Sequence, residues 1–335
     1  MKKLTLPALA VATALTLAGC GEGTPSSTDS GADNGSESPD AAAGDGELTE
    51  VTVGTLPILP TAVIELGIDE GFFEDEGLEL QVETGQGGAA LLPAVMSGSM
   101  DFATGNPISL LQARDQGLDV RVVSSYTYDT PEGVHAVLAL ADSDITSAKD
   151  LEGKTVAVNT LKSMGDLTIM EAVAQDGGDP EAVTFVEMPY PNMEQALDRG
   201  DVDAVWTPEP FMTIIGSGIG KVVTYPGVES VEGHPTMMFF SSGEFIDGEA
   251  ETVQKMSTAI NAAMDFASEN PDAVRAKAIE MLDLDPALAE KVVLEDFGGP
   301  VRRDVVQAFG DLMDKYGILE NPADVEGLLQ SVPQD

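Results

Sequence analysis

From Val51 to about Tyr225 the chain alternates short apolar runs with amphipathic stretches. Runs of four to eight residues at period two, separated by longer stretches at period 3.6, are the signature of an α/β fold. Strands are predicted over Glu50–Gly54, Leu78–Val82, Asp101–Ala103 and Val120–Ser124, then over Lys154–Asn159, Val183–Met188 and Val202–Trp206. Helices are predicted over Thr61–Gly71 and Gly88–Ser97.

An internal repeat organises these elements. Val82-Glu83, a turn and a helix lead to Ser97-Gly98-Ser99-Met100-Asp101-Phe102-Ala103 and then Asn106-Pro107. About a hundred residues later Val186-Glu187, a turn and a helix lead to Arg199-Gly200-Asp201-Val202-Asp203-Ala204-Val205 and then Thr207-Pro208. In each copy a glycine stands where a helix must end in a left-handed conformation, and an apolar residue, an aspartate and a short apolar strand follow. The recurrence of the whole order argues for two lobes built alike.

After Glu249 the alternation gives way to helical spacing. Val253, Met256, Ile260 and Met264 fall on one face, and Asn270-Pro271 reads as an N-cap followed by proline at the first helical position. Further helices are expected over Asp285–Leu294, Arg302–Tyr316 and Ala323–Val332. A helical tail packed on the first lobe makes that lobe discontinuous in sequence.

The N-terminus changes the compartment. Lys2 and Lys3 precede an apolar stretch from Leu4 to Ala18, whose fifteen residues at about 1.5 Å each fall short of a bilayer core of roughly 30 Å. This is the form of an export signal. Leu17-Ala18-Gly19-Cys20 resembles the bacterial lipobox, which implies cleavage before Cys20 and its lipidation (palmitate and related chains). Residues 1–20 are thus read as a lipoprotein signal peptide. Residues 21–47 are rich in Gly, Ser, Asp, Ala and Pro and hold no Lys or Arg; they read as a disordered tether, because such a composition buries too little apolar surface to offset its entropy. About 288 residues remain, enough for two cores. Cys20 is the sole cysteine, so no intramolecular disulfide contributes.

Charge narrows the partners. The chain carries a net charge of −42, and from Val51 onward 14 cationic side chains face 50 acidic ones, a net of −36. Nucleic acid and bare anionic membrane surfaces are therefore poor partners. A saline habitat, where a Debye length of about 3 Å at 1 M salt screens self-repulsion, is one reading of this acidity.

No motif points to catalysis. Gly85-Gln86-Gly87-Gly88-Ala89-Ala90 matches a dinucleotide fingerprint only weakly, because the first strand of the fold lies earlier. His135 and His234, the two histidines, have no companion at metal-ligand or triad spacing and read as structural. Nucleophile elbows, zinc-protease and phosphate-loop motifs do not occur. No catalytic residue, metal or cofactor is expected.

Several stretches together carry a family resemblance. Val53-Gly54, then Glu70-Gly71-Phe72-Phe73-Glu74-Asp75-Glu76-Gly77-Leu78, resembles the opening of the nitrate/sulfonate/taurine group of ABC-transporter solute-binding proteins, to which thiamine-pyrimidine binders are also related. Ser97–Ala103, Ile145–Lys154 and Ala196–Pro210 with its Glu209-Pro210 resemble that group's later signatures. Pyrimidine-forming enzymes related to the group carry a cysteine-rich motif that this chain lacks. The resemblance implies a type II periplasmic-binding-protein-like fold with two crossing segments, placed near Ala136–Asp142 and Pro235–Ser241, and a helical C-terminal region. Lobe 1 is then 48–140 plus 238–335 and lobe 2 is 141–237. It further implies a monomer, lipid-anchored through Cys20 at the extracytoplasmic face of the cell membrane, that captures a small molecule by hinge closure and delivers it to permease and ATPase subunits. Sulfonate, nitrate or taurine is the ligand class implied first, with a pyrimidine- or flavin-type heterocycle, or a sensor without a transporter, as alternatives.

Small molecules bind such folds beyond the C-terminal ends of strands, at helix starts. Candidate ligand contacts are therefore Ile58, Gly87, Gly88, Asn106, Ser163, Gly165, Tyr190, Trp206 and Glu209. Gly87-Gly88 and Ser163-x-Gly165 offer backbone N–H groups to an oxyanion, and Tyr190 and Trp206 offer flat walls. Glu209 could meet an amine instead, and Lys162 is the one cationic side chain in or beside these loops. Met188, Met193, Met237 and Met238 read as core filler.

Overall fold

The computed structural model describes residues 48–85 and 87–332. The export signal, Cys20 and the tether lie outside the described residues. In chain order the elements are β1 (Thr49–Thr55), α1 (Thr61–Asp69), α2 (Phe72–Asp75), β2 (Leu78–Thr84), α3 (Gly88–Met96), β3 (Phe102–Gly105), α4 (Pro107–Asp115), β4 (Val120–Tyr128), β5 (His135–Leu140), β6 (Thr155–Val158), α5 (Met164–Gln175), β7 (Thr184–Glu187), α6 (Tyr190–Arg199), β8 (Ala204–Pro208), α7 (Phe211–Ser217), β9 (Gly220–Thr224) and α8 (Pro226–Ser230). They continue with β10 (Pro235–Ser242), α9 (Gly243–Gly248), α10 (Ala250–Glu269), α11 (Pro271–Leu282), α12 (Pro286–Ala289), β11 (Asp296–Phe297), α13 (Arg303–Lys315) and α14 (Val325–Leu328).

Two sheets result, ordered β11-β4-β10-β3-β1-β2 and β7-β6-β8-β5-β9. In each, three parallel strands alternate with helices, and the repeat is visible atom by atom. Asp101 Oδ2 accepts from the Thr52 amide at 2.8 Å and the Asp101 amide donates to Thr52 O at 3.0 Å. Asp203 repeats this on Thr155, at 2.8 and 2.9 Å. Each aspartate thus fixes the register of a strand against its parallel neighbour, β3 on β1 and β8 on β6. The preceding Gly98 and Gly200 both have φ of +71°, the left-handed conformation that the helix-to-strand turn demands.

The first core packs Phe102, Phe239 and Tyr126 beneath the helices. Each fully buried side chain of this size contributes roughly 1.5–3 kcal/mol. The C-terminal helices close over the same sheet, α10 lying on α1, α2 and β4. That approach depends on Gly67, where a Cβ would stand 2.8 Å from the Ala263 Cβ and 2.7 Å from the Phe73 ring.

The structure corrects several sequence expectations. β5 pairs with β8 and β9 in the second sheet, and β10 pairs with β3 and β4 in the first. The chain therefore crosses between sheets at 129–134 and 231–234, a few residues before each expected crossing, because apolar runs that look like connectors are full ladder strands. The helix expected over Asp285–Leu294 is only Pro286–Ala289, since the amide of β-branched Val293 is drawn to the Glu209 carboxylate instead. The last helix shortens to Val325–Leu328. Asn270 precedes Pro271 at the start of α11, yet its side chain makes no cap and donates to Phe266 O at 2.8 Å.

Candidate functional site

The C-terminal ends of the parallel strands of the two sheets face one another, and the loops beyond them touch. Asn106, after β3, caps α4 by accepting from the Ser109 amide at 3.0 Å. Its Nδ2 donates across to Ser163 Oγ at 3.1 Å, and the Ser109 and Ser163 hydroxyls are also 3.1 Å apart. Gln112 on α4 donates to Lys162 O at 2.8 Å. Farther along α5, Glu171 Oε2 accepts from Lys315 Nζ at 2.5 Å and Tyr316 OH at 2.7 Å, so α5 is tied along its length to the first half.

Gly87 approaches from β2 with extended backbone; a Cβ there would lie 2.6 Å from Thr160 Oγ1 and 3.2 Å from Asn159 Nδ2. Gly88 begins α3. Ile58 is buried in the β1–α1 loop, whose Leu59 amide donates to Glu209 O at 3.4 Å.

At the start of α5 the Ser163 amide, one of those expected to meet an oxyanion, is already engaged. The Asp166 carboxylate accepts from the amides of Lys162, Ser163 (2.6 Å) and Leu167 (3.0 Å), supplying its own negative charge to the helix N-terminus. Burial pushes the Asp166 carboxyl up to about 6, against these hydrogen bonds. Lys162 is held at φ of +53°, and its side chain is exposed to solvent.

An aromatic wall forms behind this rim. His135 stacks on Trp206 with centroids 4.9 Å apart and planes at 12°; Tyr190 lies 6.3 Å from Trp206 and stacks on Phe211 at 5.7 Å. Gly165 admits the indole: a Cβ there would stand 2.9 Å from Trp206 Cε3. Trp206 Nε1 and His135 Nδ1 are buried without a hydrogen-bond partner in the protein. Burial drives His135 down to about 3, so its ring is neutral.

Glu209, on the loop after β8, braces the two halves. Its carboxylate accepts from the Thr213 hydroxyl at 2.8 Å, the Thr213 amide at 3.1 Å and the Val293 amide at 3.1 Å. An amine would share oxygens already engaged. Glu295, which sequence reasoning passed over, is 5% exposed and accepts from Thr236 Oγ1 at 3.0 Å. Burial raises it to about 8, with the Asp129 and Glu209 charges adding to the shift. Its sequence signal is an acid at the end of the apolar run Val292-Val293-Leu294. Among the described residues no lysine or arginine is buried as a whole residue, whereas several carboxyls and both imidazoles are.

Two half-sheets of one topology, exchanged by two crossings and closed by C-terminal helices, define the periplasmic-binding-protein fold. The alkanesulfonate-binding protein SsuA from Xanthomonas axonopodis pv. citri, bound to MOPS, superposes with a TM-score of 0.73 over 85% of this chain and 99% of its own, at 18% identity. The periplasmic nitrate-binding protein NrtA from Synechocystis PCC 6803 gives 0.73 over 85% and 86%, at 13% identity. The profile of the NMT1/THI5-like family matches residues 61–274, and the chain belongs to that family. Among curated relatives, a binding protein of Brucella abortus is 22% identical over 63% of this chain, and the match spans 65% of that protein's own length. The formylaminopyrimidine-binding protein of Halalkalibacterium halodurans is 22% identical over 69% of this chain and 70% of its own.

Proposed function

We propose that the chain is the extracytoplasmic solute-binding component of an ABC importer, tethered to the membrane through a lipid on Cys20, and that it binds rather than transforms its solute. The observation that carries this reading is the meeting of the two sets of strand ends, with Ser163 of one half seated between Asn106 and Ser109 of the other. A solute held between the lobes favours closure by whatever contacts exist only when they meet. Ile58, Gly87, Gly88, Asn106, Ser163, Gly165, Tyr190, Trp206 and Glu209 are the residues assigned to solute binding in this reading. The folded part works as a monomer and hands its cargo to permease and ATPase subunits.

Beside the sulfonate, nitrate or taurine class, the interior supports a second reading, a heterocycle. Buried Glu209 and Glu295, the carboxylate on α5 and the neutral state of His135 leave an oxyanion without a countercharge. A flat nitrogen heterocycle entering when the lobes part can instead face the Trp206–His135 stack and accept from Trp206 Nε1. The family's formylaminopyrimidine-binding relative agrees with this chemistry.

A thermal-shift screen of sulfonates, nitrate, bicarbonate, pyrimidines and flavins tests both levels. A true ligand at a hundred times its dissociation constant adds about 2.7 kcal/mol of stability. Stabilisation by a pyrimidine alone supports the heterocycle, whereas stabilisation by nitrate or a sulfonate alone overturns it. Turnover of any bound compound would overturn the binding role itself.

A further inference from the structure

The two crossing segments meet at a buried pair that no part of the solute site uses. Asp129 opens the first crossing and His234 closes the second, and the Asp129 amide donates to His234 O at 2.9 Å. Asp129 Oδ1 accepts from the Thr130 and Val134 amides, both at 2.9 Å. Its other oxygen, Oδ2, faces His234 Nε2 at 3.7 Å, and both side chains are fully buried. Neither atom has a partner elsewhere.

The tautomer of His234 follows from its other nitrogen. Nδ1 lies 2.9 Å from Val231 O. A carbonyl only accepts, so Nδ1 carries a hydrogen. In a neutral ring Nε2 is then a bare acceptor, and an ionised Asp129 presents another acceptor to it. Two facing acceptors in a dry site repel, and each forfeits a hydrogen bond. One additional proton, on either atom, turns the repulsion into an attraction, and a contraction of about 0.5 Å or more from 3.7 Å makes it a hydrogen bond. Burial raises the Asp129 carboxyl and lowers the His234 imidazole, which keeps a proton near the carboxyl.

The packing leaves the pair little room to separate. A Cβ at Gly227 of α8 would stand 2.6 Å from His234 Cε1 and 3.1 Å from Asp129 Oδ2. Phe309 of α13 meets the imidazole edge-on at 5.2 Å. The charged and titratable groups facing the pair are Asp296 of β11, the neighbouring Glu295, Arg302 ahead of α13 and His135 of β5. Arg302 opposes a charged imidazole, while the two acids oppose an ionised Asp129.

The geometry points to a single proton held between Asp129 Oδ2 and His234 Nε2 that pins the two crossing segments together, and whose loss as pH rises loosens the hinge. The hinge role rests on the solute-capture reading, but the proton itself does not. The test uses the mature full chain with Cys20→Ser to keep it in solution, and Glu295→Gln to silence that carboxyl. With only two histidines in the chain, ¹⁵N-histidine spectra are assigned by His135→Gln. His234 should show a protonated Nδ1 throughout, with Nε2 changing from hydrogen-bonded to bare acceptor as pH rises. Over the same range hydrogen exchange of amides 129–134, corrected for its intrinsic pH dependence, should accelerate at least tenfold. Asp129→Asn should abolish that acceleration, because an amide N–H donates to Nε2 without a titrating proton while its oxygen still serves the Thr130 and Val134 amides. If that variant does not fold, His234→Gln makes the same substitution from the other side. An Nε2–H tautomer of His234 overturns the proposal, and so does pH-driven acceleration that persists in the amide variant. Failure to find a solute leaves both readouts intact and strikes only the capture reading.

Discussion

Replacing Gly87 by alanine should wedge the two halves apart without harming either. The backbone at Gly87 is extended, at φ of 170° and ψ of 160°, which alanine adopts freely. Within its own half the new methyl meets no close neighbour; its nearest contacts are Thr160 Oγ1 at 2.6 Å and Asn159 Nδ2 at 3.2 Å, both from the other half. An ordinary contact needs about 3.4 Å, so the loops must part by roughly 0.8 Å or Thr160 must turn, and a β-branched side chain turns at a cost. Overpacking of this kind costs about 1–3 kcal/mol. Because only the closed state suffers, the closing equilibrium shifts by roughly five- to 150-fold. Small-angle scattering on a chain lacking the tether should show a larger radius of gyration for Gly87→Ala than for wild type. Solute affinity should fall by a similar factor, with the unfolding midpoint little changed. Thr160→Gly in the same chain should restore both. An unaltered radius and affinity in Gly87→Ala would mean that this loop pair does not close on the solute.

Other outcomes follow from single contacts. Cys20→Ser should release the protein from the membrane fraction, and unchanged sedimentation with membranes would refute lipid anchoring. Ser163→Ala removes the acceptor for Asn106 Nδ2 and should weaken solute binding roughly tenfold, at about 0.5–1.5 kcal/mol per lost hydrogen bond, with the fold intact by circular dichroism. Trp206→Ala should cost roughly 3–5 kcal/mol of stability in chemical denaturation, since a 3% exposed indole is exchanged for a cavity. The Glu295 carboxyl has a folded value near 8 against an ordinary 4.5, so the folded state keeps its proton where the unfolded state has lost it. Stability should therefore be greatest below pH 4.5 as far as this group is concerned and decline by up to about 1.4 kcal/mol per unit on the way to pH 8. Glu295→Gln should flatten that slope in urea melts, and an unchanged slope would refute the assignment.

The α/β order and the twofold repeat were legible because they rest on local rules. Period-two runs, left-handed glycines at 98 and 200 and the aspartates at 101 and 203 act within a few residues of themselves, and the structure places them alike in both halves. Sheet membership was not legible. His135–Leu140 and Pro235–Ser242 are continuous apolar runs on either side of a crossing, and nothing local states which sheet each will join. Helix ends in the tail failed for a related reason. Val292 and Val293 continue an apolar pattern, but a carboxylate 84 residues away captures the Val293 amide.

For the site, loop position was readable and occupancy was not. Strand-end geometry selected Asn106, Ser163, Tyr190 and Trp206, and these do converge in two pairs, Asn106 with Ser163 and Tyr190 with Trp206. At the α5 start Asp166, three residues into the same motif, engages the Ser163 and Leu167 amides with the protein's own charge. A serine followed by an acid three residues later is a capping signature, so that engagement was present in the sequence. The electrostatic character of the interior could not be read this way. It depends on Glu295 and Glu209, contributed by segments 86 residues apart in sequence, each buried by packing that no local pattern announces. Burial raises both carboxyls, Glu295 to about 8, while Lys162 is turned to solvent. Buried titratable groups contributed by distant segments are thus the last features a single sequence discloses.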